Sequence, residues 1–336
     1  MNNKYKDIKK VLFIRTGAIG DVVHTTATFQ VLKKQYPDMQ IDYLTSPMMV
    51  NLLSNDPDLT EIHSLDKKTY KNLPALYKYA KKLSSYNYDI VINLQPSIKT
   101  IVFSKLLKPK HILTYKKHRP FKNKTYIHVV DNYLQTIDPL IDNKLKADNL
   151  KIYISDENKE WSNSYFTKNS IDKALAIIPG VSKARLNKLW PKEYWIDLVQ
   201  KIIEQFDYKI IIIGGNDELP ISEELLKLDN NRVYNLCNAL NIEETAAILN
   251  DCTIAIGSDT GPTHMASALN TRTIGLYGPT SPDRVGIYSS NHNMIHSKHE
   301  CLFCEKKKCF KKDKINPYAP CMVDLSVDEV VKLIAQ

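Results

Sequence analysis

The feature that most constrains this 336-residue chain is an alternation that runs twice, in which short β-branched runs are separated by stretches of helical period. Strands buried on both faces read as continuous apolar runs, and parallel neighbours need a helical crossover, so the pattern calls for parallel sheets wound with helices. In the first half the strand candidates are Val11–Ile14, Ile41–Leu44, Ile90–Leu94 and His111–Thr114, and Leu73, Leu76, Tyr77, Ala80 and Leu83 recur at helical spacing. The second half restarts at Ala174–Ile178. It continues through a helix carrying Trp195, Leu198, Val199, Ile202, Ile203 and Phe206 on one face, then Ile210–Ile213, Val233–Leu236, a helix near Ile242–Leu249, Thr253–Ile256, a helix near Pro262–Leu269, and Thr273–Tyr277. Between the halves, Asp142–Ser170 is polar apart from an Ile152–Ile154 strand candidate, and it predicts a linker. The length suits two cores of about 150 residues each.

The chain therefore reads as two Rossmann-like α/β domains facing across a cleft. Domain 1–160 comes first, 161–325 second, and a short helix, Val327–Ala335 within 326–336, is expected to cross back to the first domain. Charged residues make up 25% and hydrophobic ones 43%, an ordinary globular balance that excludes disordered and collagen-like classes. The net charge is +9, carried mostly by scattered lysine with local clusters at Lys116–Arg119 and Lys306–Lys312. No strand interleaves aromatic and basic residues, which argues against nucleic acid. A phosphorylated substrate or an anionic membrane surface fits better. The N-terminal apolar run reaches Arg15 too soon for a signal peptide, and no run of about 18 apolar residues could cross a bilayer. A cytoplasmic protein, peripheral to the inner membrane, is expected.

Open parallel sheets bind ligands beyond the carboxyl ends of their strands, so the loops that follow strands are where chemistry is sought. After Val11–Ile14 comes Arg15-Thr16-Gly17-Ala18-Ile19-Gly20-Asp21. This loop lacks the third glycine of a dinucleotide fingerprint and sets a carboxylate where pyrophosphate would sit. Asp21 is either a helix cap or a carboxylate held at the cleft edge to accept a proton. After Thr253–Ile256 comes Gly257-Ser258-Asp259-Thr260-Gly261-Pro262-Thr263-His264, a tight turn into a helix. It reads either as a phosphate cradle built from the Thr260 and Gly261 amides or as a helix start capped by Asp259. Two further loops, Pro179–Pro191 with its lysines and Gly214-Gly215-Asn216-Asp217-Glu218, follow strands as well. Cys301, Cys304, Cys309 and Cys321 gather in a lysine-rich segment, whereas Cys237 and Cys252 read as buried strand residues. Four thiols in a reducing compartment suit structural zinc or iron, or else remain free and oxidisable.

Together IRTGAIGDVVHTTA, PGVSKARLNKLWP, IIIGGNDE and GSDTGPTHMASALNTRTIGLYGPTSPDR resemble glycosyltransferase family 9, the ADP-heptose heptosyltransferases of lipopolysaccharide core assembly, in order and over nearly the whole chain. The resemblance implies the GT-B fold, inverting transfer without a catalytic metal or other cofactor, and a nucleotide-diphosphate sugar, ADP-heptose foremost, held by the second domain. It makes Asp21 the general base, with Gly17, Gly20 and His24 in the acceptor-side loop. It assigns Ser182, Lys188, Thr260 and Gly261 to the diphosphate, Glu218 or Asp217 to the ribose, and Asp259 and His264 to the donor sugar's surroundings. The implied acceptor is a glycolipid or glycan of a lipopolysaccharide or lipooligosaccharide core. An autotransporter-type protein acceptor stands beside it, since that branch of the family binds iron at a cysteine cluster. A nucleotide-sugar epimerase and a non-catalytic nucleotide-sugar binder are the rivals from other classes. Gly-Pro-Thr-His here replaces the Gly-Leu-x-His of many lipopolysaccharide members, a departure that bears on the acceptor.

Overall fold

A computed structural model describes residues 5, 8–118, 125–141, 147, 149–311 and 317–336. The sequence features at Arg119, Lys312, 142–146 and 148 lie outside the described residues. The chain divides into two compact units, Met1–Tyr153 and Ile154–Gln336.

In the first unit, β1 (Lys10–Ile14), β2 (Gln40–Thr45), β3 (Glu61–Ser64), β4 (Ile90–Asn93) and β5 (His111–Thr114) form one parallel sheet ordered β3-β2-β1-β4-β5. The pleat sends alternate residues to opposite faces. Leu12 and Ile14 join Leu76, Ala80, Leu83 and Phe103 from the helices Leu73–Ser84 and Ile98–Leu106. Phe13 turns the other way, with its ring 6.2 Å from Phe29 of helix Ile19–Gln35 and 6.3 Å from Tyr43.

The second unit carries β6 (Ala174–Ile178), β7 (Lys209–Ile212), β8 (Val233–Asn235), β9 (Ile254–Ser258), β10 (Arg272–Tyr277) and β11 (His292–His296), parallel and ordered β11-β10-β9-β6-β7-β8. Leu175 and Ile177 of β6 pack with Trp190 and with Trp195, Leu198 and Ile202 of helix Lys192–Gln205. The two indoles meet edge to face, centroids 4.9 Å apart, a geometry that suits aromatic quadrupoles. The Trp190 indole donates to the carbonyl of Leu325 at 3.1 Å. That bond fastens the chain just before helix Val327–Ile334, whose Val327, Val330 and Ile334 are buried in the same core. The terminal helix, expected to cross back to the first domain, thus places its apolar stripe inside the second unit.

Two more expectations change. The expected linker contains a helix, Asp156–Lys168, and 152–154 forms no strand. Ser155 caps the helix by accepting from the amide of Asn158 at 3.1 Å, and Asp156 and Glu157 sit favourably in its first turn. The helix packs on helix Ile242–Asp251 and belongs wholly to the second unit, so the boundary falls at 153/154. The edge strands β3 and β11 escaped the sequence reading because their polar residues, Glu61, His63, His292 and His296 among them, break the apolar runs that mark interior strands.

Candidate functional site

Strand order reverses between β1 and β4 in the first sheet and between β6 and β9 in the second. At such a point the loops leaving adjacent strands diverge to opposite faces and open a crevice at the carboxyl edge. Each unit holds its candidate residues there.

In the first unit Gly17 takes φ +148°, a conformation that disfavours side chains, and the chain enters helix Ile19–Gln35 with Ala18 as its N-cap. Gly20 and Asp21 occupy the first turn, so Asp21 is not the cap residue. Its carboxylate instead receives the Arg15 guanidinium at 2.5 Å and the Tyr133 hydroxyl at a long 3.5 Å. Arg15 also donates to the carbonyl of Leu94 at 2.9 Å, while the amide and hydroxyl of Thr16 reach Gln95 Oε1 at 2.8 and 2.9 Å. Those bonds bind the β1 loop to the end of β4. Burial disfavours the Arg15 cation, but Tyr133 and Asp21 outweigh it and hold its pKa above the ordinary value. Burial, with the charge of Asp21 as a lesser cause, raises the pKa of Tyr133 well above its usual range and keeps it a hydroxyl donor. The Asp21 side chain retains 41% of its exposure, so an oriented carboxylate remains open to solvent. His24 lies one turn further along, buried, with its ring 6.1 Å from that of His128. Arg15, Gln95 and Tyr133 were missed as partners. Tyr133 is 112 positions from Asp21, and nothing local in the sequence joins them.

In the second unit the loop after β6 runs through Ser182, which is exposed and caps the 3₁₀ segment Lys183–Lys188 by accepting from Ala184 N at 3.4 Å. Lys188 Nζ lies 2.5 Å from Asp259 Oδ2 and donates to the Asp259 carbonyl at 3.0 Å. His264 Nε2 is 3.0 Å from Asp259 Oδ1, and Ser258 Oγ donates to the Lys188 carbonyl at 2.9 Å. Burial would raise the Asp259 pKa, but Lys188 and His264 prevail and hold the carboxyl far below its usual range. Asp259 therefore links the loop after β6 to the end of β9, and Thr260 is the N-cap of helix Gly261–Ala268. The Thr260 hydroxyl lies 3.1 Å from that of Thr263. A Cβ at Gly257 would fall 2.5 Å from Thr263 Oγ1 and 2.9 Å from Ile178 Cβ, so this close approach needs glycine.

Of the two acidic candidates after β7, Glu218 accepts from Gly215 N at 2.7 Å and folds over Gly180, where a Cβ would lie 2.3 Å from its carboxyl. Asp217 pairs with Lys183 at 3.1 Å on the open surface. Both therefore meet the loop after β6, Glu218 at Gly180 where that loop leaves the strand and Asp217 at the exposed Lys183. A recess of about 700 Å³ lined by Phe166, Ile171 and Asp251 lies at the amino ends of the strands, the end that such sheets do not use for ligands.

The cysteine segment folds against the loop that follows β10. Phe303 and Glu305 take positive φ and donate their amides to the carbonyls of Gly278 and Pro279 at 3.1 and 2.8 Å. Cys301 Sγ is 3.2 Å from His299 Nδ1. Burial, reinforced by Cys301, Cys304 and Cys309, pushes the Cys321 thiol up to about 12. The four thiols are therefore neighbours, but they do not converge to ligand distance. Among the described residues the set that does is Asp42, Glu61 and His63, within 4.8 Å of one another. That set already has partners: Lys10 stands 3.5 Å from Asp42, and Tyr88 donates to it at 2.8 Å.

Residues 76–315 match the family described as glycosyltransferase family 9 (heptosyltransferase). The chain belongs to that family. Lipopolysaccharide core heptosyltransferase OpsX of Haemophilus influenzae is 25% identical to this family 9 glycosyltransferase over 301 residues, covering 85% of this chain and 84% of the relative. A family 9 glycosyl transferase of Veillonella parvula superposes with a TM-score of 0.84 at 20% identity, covering 97% of this chain and 96% of the other. The Escherichia coli ADP-heptose lipopolysaccharide heptosyltransferase II does so with 0.77 at 19% identity, covering 97% of each chain. The two parallel α/β units are those of the GT-B fold.

Proposed function

We propose that this glycosyltransferase moves heptose from ADP-heptose to the core sugars of a lipopolysaccharide or lipooligosaccharide precursor, with inversion and with Asp21 as general base. The observation that carries the reading is that each sheet switch point holds one half of the chemistry: a solvent-open carboxylate oriented by Arg15 in one unit, and a nearly buried Lys188–Asp259–His264 set beside a helix start in the other. The names of the relatives, an ADP-heptose-using enzyme among them, favour that donor and acceptor.

In this reading Asp21 takes the proton of the acceptor hydroxyl as it attacks the anomeric carbon, and the bond to the diphosphate breaks from the opposite side. Lys188 and the Thr260 and Gly261 amides offset the charge that develops on the departing diphosphate. Asp259 is a positioning residue that holds Lys188 and His264 in place, Ser182 closes the phosphate side, and Glu218 meets the ribose. Gly17 and Gly20 shape the acceptor-side turn, and His24 supports it from inside the helix. No step of the transfer passes through a metal. The four cysteines, with His299 beside Cys301, have soft donors, but they do not converge as a structural zinc or iron requires, and the loop is held by the amides of Phe303 and Glu305 on Gly278 and Pro279. The acceptor's lipid anchor places the work at the cytoplasmic face of the inner membrane. Transfer from ADP-heptose to purified core acceptor, wild type against Asp21→Asn, tests the reading. Wild-type turnover by the variant removes Asp21 as base, and no transfer by either protein from any ADP-sugar removes the reaction.

A further inference from the structure

In the first unit, helices Leu73–Ser84 and Ile98–Leu106 lie side by side, sharing a core through Leu76, Ala80 and Phe103. Their starts are joined by Lys99, which donates to the carbonyls of Tyr70 and Lys71 at 3.0 and 3.3 Å, and by a 3.0 Å bond between the Tyr70 and Ser97 hydroxyls. A surface helix turns apolar residues inward and polar ones outward. These two bury an apolar face and expose further apolar residues besides: Ile98 is 85% exposed, Val102 49%, Ile101 39%, Leu73 62% and Tyr77 55%. Ile98, Ile101 and Val102 stand at i, i+3 and i+4 and form one outward stripe, and Leu73 and Tyr77, at i and i+4, form another.

The charge around this face is as unusual as its apolarity. Residues 67–110 hold ten lysines, no arginine and one acidic residue, Asp89, a net +9. The whole chain has 46 basic and 37 acidic residues, also +9, so everything outside this segment sums to zero. Nine of the ten lysines are exposed, while Asp89 is buried and accepts from the amides of Lys9 and Lys10 and from Lys110.

We propose that this face docks on the anionic headgroups of a bilayer leaflet, with Ile98, Ile101, Val102, Leu73 and Tyr77 entering the boundary with the acyl chains and the lysines meeting lipid phosphates. Apolar side chains flanked by lysine are what an interfacial helix pair uses. A second copy meeting the same face would bring the two +9 segments together, which disfavours self-association. A nucleic acid would use the lysines and leave the isoleucines in water. The inference adds a surface to the reading of a lipid-anchored acceptor, on which it rests for its purpose but not for its test.

The full chain is floated with vesicles of equimolar phosphatidylcholine and phosphatidylglycerol, and with phosphatidylcholine alone, at increasing salt. The wild type is expected to bind the anionic vesicles at least about tenfold better, and salt weakens that binding. The triple variant Ile98→Gln, Ile101→Gln, Val102→Gln loses most of it while keeping its melting temperature and its transfer rate to a lipid-free core oligosaccharide. The variant Lys78→Gln, Lys81→Gln, Lys82→Gln binds more weakly and with a shallower salt dependence. Equal flotation with both vesicles, or a triple variant that floats like the wild type, overturns the proposal. So does tight binding to duplex DNA that the triple variant retains, or a dimer in ultracentrifugation that the triple variant dissolves. Absence of transfer to the oligosaccharide by every protein, with vesicle binding intact, counts against the proposed reaction and leaves the docking face standing.

Discussion

Replacing Asp259 by Asn keeps the shape of the second switch point and removes one charge, which separates electrostatics from packing. The Lys188 amine, 13% exposed and 2.5 Å from a carboxylate that is itself 10% exposed, would face a neutral amide. Stranding one member of a buried pair costs about 3–5 kcal/mol, because the remaining charge has lost its water and gained no partner. For a unit the size of Ile154–Gln336, that is a fall in melting temperature of roughly 10 °C. Differential scanning calorimetry on wild type, Asp259→Asn, Lys188→Met and the double variant measures it. If the cost lies in the stranded ammonium, Lys188→Met on top of Asp259→Asn restores much of the stability, and the two changes are far from additive. The folded carboxyl has a depressed pKa, so its stabilisation is complete above the unfolded value near 4 and is lost as pH falls through the folded one. The gap between wild type and Asp259→Asn is therefore constant from neutral pH to about pH 5 and narrows only in stronger acid. A single variant within about 1 kcal/mol of wild type, or a double variant showing the sum of the single losses, would falsify the claim that Asp259 holds a desolvated lysine.

Other consequences follow at named positions. Asp21→Asn, which keeps the size of the side chain and removes its basicity, is expected to lower kcat by about 10²–10⁴-fold with little change in donor KM, measured by ADP release. Gly257→Ala sets a Cβ 2.5 Å from Thr263 Oγ1 and 2.9 Å from Ile178 Cβ, and thermal melting is expected to show a loss of about 1–3 kcal/mol. Burial raises the pKa of Asp56 to about 7, so its contribution to stability is fully present below the unfolded value near 4 and is lost as pH rises through 7. Asp56→Asn is thus expected to raise the melting temperature at pH 8 and to leave it unchanged at pH 4; equal effects at both pH values exclude the buried acid as the cause.

What was legible in the sequence, and what was not, divides along physical lines. Interior strands such as Ala174–Ile178 announce themselves because both faces of a parallel sheet are covered, so every residue must be apolar. The same reasoning hid β3 and β11, whose positions at the sheet edge admit histidine and glutamate. The loops that carry Asp21, Lys188 and Asp259 stood out because loops after strands are few and strand order concentrates ligands at their ends, whereas the resemblance alone singled out Lys188 within its loop. Their partnerships could not be found. The bonds Arg15 to Leu94, Tyr133 to Asp21 and Lys188 to Asp259 join residues 79, 112 and 71 positions apart, and no spacing rule reaches that far. Spacing alone also left Asp21 and Asp259 open to being helix caps, yet Ala18 and Thr260 hold those places. A carboxylate beside a helix start that does not cap it is free to be held elsewhere, and in both units a cation holds it. At Asp259 the cation is nearly buried with its partner, which fixes geometry. At Asp21 the carboxylate keeps an open side, the arrangement a base needs if a substrate hydroxyl is to reach it.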